Sequence, residues 1–333
     1  LVHRSGSSNP SLYIPLRSFP MLIIFTLLSQ IAGSSTGREG AGVLSGGIIG
    51  HLCYRFLFRH LGFPEFEAYC LYVGMAAGFG GIFGTPISST FYVMELTNVS
   101  VMQYQVLLPS LVCSHVAYWV VSRLGLPHTF EFINIPLNDN RMGIELFCKI
   151  IFVGILMAGV STAFTYTHHY VHKFTHKYWS PYLTAIIGSS ALIILIMLVH
   201  PTRYTGLGDP LIAAIFNDGN VYYYDWVLKG MCTLLSVIVG YRGGEMIPIF
   251  CTGAALGWCL GPALHMTRQT SAMLGYIGMF SGSTQTLFTP VLISIEQYGP
   301  NFAIQGLLVS IITFTLSGKL SIYGNQKRSY FKW

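Results

Sequence analysis

The chain has 333 residues, 52% of them hydrophobic and only 9% charged, with a mean hydropathy of +0.57. Soluble domains carry about 25% charged residues, so a water-soluble globular protein is excluded and a multi-pass integral membrane protein is expected. Much of the net charge of +6 lies at ends and in loops, at Arg4, Arg17, Lys319, Lys327, Arg328 and Lys332. There it reads as a topology signal and a lipid-headgroup contact, not as a nucleic-acid surface.

Residues 1–15 read as an irregular lead-in rich in turn residues. Apolar segments follow at about 16–36, 41–60, 68–96, 101–123, 143–169, 181–199, 223–241, 245–265, 272–296 and 302–317. A bilayer span takes about 20 apolar residues. Several of these segments carry glycine and proline well inside them: Gly78, Gly80, Gly81, Gly84 and Pro86 in one, Pro248 and Gly253 in another. Broken helices are tolerated at membrane depth where they are buried in protein or line a cavity, so an all-α membrane protein with broken, re-entrant helices is expected. Residues 124–142 form a polar linker and 201–220 a second turn-rich connection. The tail from Tyr323 to Trp333 is basic and aromatic.

One stretch stands apart. Gly37-Arg38-Glu39-Gly40 places two charges between two apolar runs, and charges so placed mark ion pathways. Glycines on each side let the backbone turn and approach a ligand, and the N–H groups opening the next helix form an anion site. The stretch has a counterpart in Gly243-Gly244-Glu245-Met246. Each Glu opens an apolar helix and is followed eight residues later by a glycine, Gly47 or Gly253. GMAAGFGGIFGTP (74–86) matches GMFSGSTQTLFTP (278–290), and each proline leads to a further Glu, Glu95 or Glu296. A broken-helix motif at corresponding positions of two repeats points to a transport site where half-helix N-termini converge, and their positive dipole ends favour an anion. The chain is therefore divided into a first repeat over 16–123, a second with its preceding helices over 143–317, and a last segment over 318–333.

These motifs resemble those of the CLC family of anion channels and anion/proton exchangers. GREGAGVLSGGIIG (37–50) is similar to the family's GREGP motif, YRGGEMIPIFCTGAALG (241–257) to its GxFxP motif, and GIFGTPISSTFYVME (81–95) and LFTPVLISIE (287–296) to its paired proline-containing helices. GKLSIYGN (318–325) is similar to the last, inner-pore helix. The resemblance runs from about Ile14 to Tyr323 and implies the CLC fold with its inverted-topology repeat, a homodimer with one pore per subunit, and halide transport. Within the family the fluoride/proton antiporters and their bacterial relatives are most similar, through IPLRSFP (14–20), AGFGGIFGTP (77–86), RYTGLG (203–208) and GGE (243–245). That branch implies the inner membrane of a bacterium.

The resemblance implies roles residue by residue. Glu39 matches the gating glutamate, Tyr323 the inner-gate tyrosine, and Glu245 the extra glutamate of the fluoride branch, with a part in proton coupling. Backbone N–H groups at Gly40, Ala41, Met246 and Ile247 cradle the anion, chloride or fluoride, with Arg38 beside it. Three features depart from the pattern. Ala41 replaces the motif's proline, Leu96 stands where chloride/proton exchangers carry an internal glutamate, and Met246-Ile247 replaces a Val-Thr pair. The first helices of the fold and its inner-pore serine motif are expected to precede Leu1.

The remaining signals are weaker. His168, His169, His172 and His176 share a helical spacing that suits a metal, but neighbouring Lys173 and Lys177 favour an interfacial helix end. Glu95 and Glu296 read as structural carboxylates at helix breaks. The seven cysteines are scattered singly and suggest neither disulfides nor zinc. No P-loop or HExxH is present, and GSSTG (33–37), which matches GxSxG, runs straight into the GREG stretch, so neither catalysis nor a cofactor is expected. Anion/proton exchange gated by Glu39 is the leading expectation. A passive chloride channel, favoured by Leu96, and a non-transporting fragment are the alternatives.

Overall fold

A computed structural model describes residues 17–58, 66–96, 98–99, 101–129, 143–199, 202–217, 219–323 and 326–328. The lead-in, most of the 124–142 linker and the end of the basic tail lie outside them. Thirteen α-helices make up almost all of the described chain: α1 Ser18–Ile31, α2 Glu39–Cys53, α3 Phe66–Phe83, α4 Pro86–Glu95, α5 Leu107–Arg123, α6 Ile144–Tyr178, α7 Pro181–Val199, α8 Asp209–Phe216, α9 Asp225–Val239, α10 Met246–Leu260, α11 Arg268–Thr284, α12 Phe288–Tyr298 and α13 Ala303–Leu316. The strand pairing among the described residues is one two-residue parallel ladder, Asn98–Val99 with Lys327–Arg328. Five stretches are long and apolar enough to cross a membrane: Glu39–Phe58, Phe66–Phe83, Tyr104–Arg123, Ile144–Thr175 and Pro181–Val199. The all-helical membrane architecture is as the composition demands.

Two compact units divide the chain, one of residues 1–24, 39–132 and 325–332, the other of 25–38, 133–324 and 333. In the first, α2 packs along α3, and α3 against α4 and α5. The α2–α3 crossing is close because glycines face each other. A Cβ on Gly46 would run into the carbonyl of Gly74, and one on Gly74 into that of Gly46. The break between α3 and α4 comes at Gly84, whose φ of +76° suits glycine. Pro86 then opens α4 at a position where a missing N–H costs nothing. Ser114 on α5 donates to the Pro86 carbonyl at 2.9 Å and closes the break.

The second unit repeats the device. α10 packs along α11, with Gly253 and Gly275 each facing the other's carbonyl, and α11 packs against α6 and α13. Here the break falls at Gln285, which adopts φ +58°. The Gln285 amide anchors the turn by donating to the Gly282 carbonyl (2.9 Å) and to Ser317 Oγ (2.7 Å). The paired broken helices are thus as the sequence implies.

Three elements differ from expectation. The 201–220 connection contains helix α8, because Pro210 sits in its first turn and LIAAIF behind it is apolar enough to bury Leu211, Ile215 and Phe216. Helix α6 continues past residue 169 to Tyr178. No helix forms over Gly318–Tyr323, the described part of the expected inner-pore helix. Gly318 turns the chain at φ +74°, and the segment is held instead by Ile322 N–H to the Ser283 carbonyl (2.9 Å) and by His169 Nε2 against the Ser321 carbonyl (2.7 Å).

Candidate anion and proton site

The two glutamate motifs meet through backbone. Gly37 N–H donates to the Gly244 carbonyl and Gly244 N–H to the Gly37 carbonyl, each at 2.6 Å, in an isolated antiparallel bridge. A Cβ on Gly243 would collide with Thr36, so the GG pair is what lets the segments lie this close. Two residues beyond Gly37, Glu39 is the first residue of α2 and is fully buried. A carboxylate at this end of a helix is favoured by the macrodipole.

Glu245 is the residue before α10. The first helical bond there runs from Ile249 N–H to the Glu245 carbonyl (3.0 Å). The N–H groups of Met246 and Ile247 therefore have no acceptor within the helix, and Pro248 has no N–H to satisfy. Both residues are buried, at 4% and 1% exposure. Two orphan donors at the positive end of a buried helix are what an anion needs. At the other motif Gly40 is half-buried and Ala41 buried, both in the first turn of α2. Arg38 is exposed, so its side chain is turned to the surface. Tyr323 is half-buried, with its N–H donating to Ser321 Oγ at 3.1 Å. Ser321 in turn donates to the Thr284 carbonyl at the end of α11 (3.2 Å).

A buried ionic network, absent from the sequence reading, holds the segment leading into the GREG motif. Lys229 on α9 is fully buried, and its ammonium donates to Ser35 Oγ (2.9 Å), the Tyr204 carbonyl (3.0 Å) and the Gly206 carbonyl (2.9 Å). One helical turn earlier, Asp225 accepts from Arg203 Nη2 (2.6 Å), the Tyr204 hydroxyl (2.5 Å) and the Tyr222 N–H (2.9 Å). Burial, and then the bond to Asp225, hold the Tyr204 phenol well above its ordinary range. Ser35 N–H donates to Ser236 Oγ (2.8 Å), and Gly206 N–H to the Ser34 carbonyl (2.7 Å). RYTGLG thus wraps α9 and clamps 34–36 onto it. The legible signal was an Asp and a Lys four apart in an otherwise apolar helix, a spacing that puts both on one face.

The histidine run is not simply an interfacial helix end. Its first member, His168, is 8% exposed and lies 3.8 Å from Glu245 Oε1 through Nε2. His172, one turn on, is exposed and lines the same cavity. Among the described residues no group of three or more His, Cys, Asp or Glu is arranged to hold a metal. Glu95 is buried and Glu296 half-buried, each close to the end of its proline-led helix.

The chain is similar to known proteins over nearly its whole length. The model of the voltage gated chloride channel family matches residues 2–318. A curated relative from Pseudomonas syringae pv. tomato, called chloride/fluoride channel protein, is 29% identical over 97% of this chain and 72% of its own length. A solved CLC-type fluoride/proton antiporter superposes with a TM-score of 0.91 at 32% identity, over 99% of this chain and 81% of that one. A slow cyanobacterial chloride/proton antiporter shares the fold, with a TM-score of 0.79 at 18% identity, over 97% of this chain and 78% of that one.

Proposed function

This chain belongs to the voltage-gated chloride channel (CLC) family, and from that premise we propose that it exchanges a halide, fluoride or chloride, for protons. Halide transport across a membrane comes with the family; the exchange, the gate and the ion are the proposal. The observation that carries it is the Gly37–Gly244 bridge, which joins two motifs that each supply a carboxylate and a helix start. A passive halide path needs the helix starts but not two acids.

Glu39 acts as the gate. Ionised, it takes the place of the anion at the helix N-termini; protonated, it leaves that place to the anion. Backbone N–H groups of Gly40, Ala41, Met246 and Ile247 cradle the ion, and Tyr323 closes the inner side with its hydroxyl. Arg38 is left out of the cradle, since its side chain is exposed. Glu245 supplies the second proton site that Leu96 cannot. The chain works as a homodimer, as the resemblance implies, in the inner membrane of a bacterium.

The test is purified protein in liposomes, with halide efflux and proton uptake recorded together at a set voltage. Exchange predicts uphill proton uptake at a fixed ratio to halide efflux. Glu39→Gln is expected to abolish proton uptake while halide flux persists; coupling that survives would remove Glu39 from the gate. Leu96 is buried at the position where other exchangers place an acid, which favours a second reading, a passive channel. Halide efflux with no proton uptake at any voltage would establish it.

A further inference from the structure

Glu245 is a half-buried acid that must gain and lose protons if exchange occurs, and a route to it is visible within one compact unit. A cavity of about 590 Å³ opens against it, lined by His168, His172, Tyr241, Arg242, Gly243 and Glu245 among others. Where His168 and Glu245 face each other, Nε2 and Oε1 are 3.8 Å apart. That exceeds a direct hydrogen bond and lies within reach of a small side-chain movement or a single bridging water. Among the described residues, His168 Nδ1, His168 Nε2 and Glu245 Oε2 are buried and have no hydrogen-bond partner. Leaving such atoms unpaired forfeits their hydration without return, a cost seldom retained for packing alone.

The groups around the pair leave this imidazole as the one aimed at Glu245. His169, next along the chain, is occupied with the Ser321 carbonyl. His172 lies one turn outward, its ring 6.3 Å from that of His168, on the exposed side of the helix. Lys173 and Lys177 on α6 are exposed. From α9 the cavity receives Val237, Ile238 and Val239, and from α7 Pro181 and Thr184, none of which titrates. Lys229 and Asp225, also on α9, are engaged with Ser35 and Arg203. The Tyr241 hydroxyl pairs with Ser189 at 3.1 Å. Arg242 is an exposed permanent cation at the cavity wall. It draws anions inward and holds no proton to give.

We propose that His168 is a proton relay between this cavity and Glu245, with His172 as the outer acceptor. The proposal rests on the exchange reading above. His168 takes a proton at Nδ1 from His172 or from solvent in the cavity. It then gives up the proton on Nε2 to Glu245 Oε1. The carboxylate becomes a neutral acid, and the ring is left as the neutral Nδ1–H tautomer. Return of a proton from Glu245 to Nε2 and loss from Nδ1 run the relay outward. Imidazole suits the task because its ordinary pKa lies near neutrality and its two nitrogens face opposite ways. The relay ends one residue before Met246, in the motif whose backbone donors are proposed to hold the anion.

The test uses the full chain in liposomes, with His168→Asn and His168→Gln beside wild type and with size-exclusion profile and melting temperature as checks of folding. Proton uptake driven by a halide gradient is expected to fall at least about tenfold in either variant, the scale of a lost proton-transfer group. Wild type is expected to show a pH dependence across the histidine range that the variants lack. Added imidazole should enter the cavity and restore uptake in His168→Asn, but not in Glu245→Gln. Unchanged uptake in both variants overturns the relay and leaves the exchange reading standing. A loss that imidazole does not rescue also overturns it, because a histidine needed only for packing behaves that way. If wild type moves no protons uphill, the exchange reading falls and takes the relay with it.

Discussion

The α2–α3 pair and the α10–α11 pair are built to one plan and placed in different surroundings. Each starts at a glutamate, crosses its partner at facing glycines and ends in a break before a proline-containing helix. Helix α10 is buried from Met246 to Trp258, and α11 from Ser271 to Thr284, by neighbours within the same unit. The first pair leaves apolar side chains open, with Ile49 at 49% and Phe56, just past α2, at 74% exposure. Lipid is the natural cover for such a face. The α2 region reaches spanning length and hydropathy, whereas α10 has 15 residues and is a shorter apolar helix. One motif therefore serves both as an element with an open apolar face and as a protein-sheathed one. The sheathed copy packs on α9, whose Lys229–Asp225 network holds the segment leading into the GREG motif, and has the histidine-lined cavity beside it.

The largest break in that comparison should come from the anchor. Asp225→Asn leaves Arg203 short of its counter-charge, and removing one partner of a buried pair costs about 3–5 kcal/mol. A chemical-denaturation midpoint in detergent is the measurement; a shift no greater than that of an exposed substitution such as Lys177→Ala would show that the network carries no stability. Tyr204→Phe removes the hydroxyl that donates to the same carboxylate and should cost about 1.5–3 kcal/mol, as bonds to charged groups do. It also has a pH signature. The folded state holds the phenol proton above the ordinary tyrosine range, so this stabilisation is complete below about pH 10 and is lost as pH rises beyond it. Tyr204→Phe should flatten the alkaline fall of the melting temperature.

The glycine crossings sharpen the comparison more finely. Gly253→Ala pushes a methyl onto the Gly275 carbonyl in a fully enclosed pair and should cost about 1–3 kcal/mol. Gly46→Ala makes the same collision at the less enclosed pair, where α2 has room to shift outward, and should cost less in the same denaturation series. Equal costs would mean that sheathing has no part in holding the second pair. The smallest effect is expected at Glu67, which lies 3.2 Å from His51 Nδ1 and is 17% exposed. Glu67→Gln keeps the shape and should cost about 1 kcal/mol or less.

Local chemistry made much of this fold legible. The breaks at Gly84-Thr85-Pro86 and before Pro290 are written in residues that cannot continue a helix cheaply, and the glutamates that open α2 and α10 stand where carboxylates favour helix starts. The 201–220 connection reads as turn-rich because its turn residues, Gly208 and Asp209-Pro210 among them, outnumber its cues for a helix of eight residues. Short helices owe their stability to packing, which composition does not display. The helix expected over 318–323 failed for the opposite reason. Its pattern allows a helix, but bonds from distant Ser283 and His169 capture the backbone first. Arg38 stands beside the anion cradle by its place in the motif, and the structure shows its residue exposed.

By itself the sequence determined the solvent, the helical class, the repeat and the two acids. Each of these depends on which residue follows which over distances of a few helical turns. The tertiary structure alone decided what those acids face. That Gly37 pairs with Gly244, that Lys229 reaches Ser35 across nearly two hundred residues, and that His168 turns toward Glu245 are contacts between segments far apart in the chain. Side-chain direction on a helix is set by packing against neighbours. A histidine run with one periodicity can therefore place one ring against a half-buried acid and the next against a backbone carbonyl, with nothing in the local pattern to tell them apart.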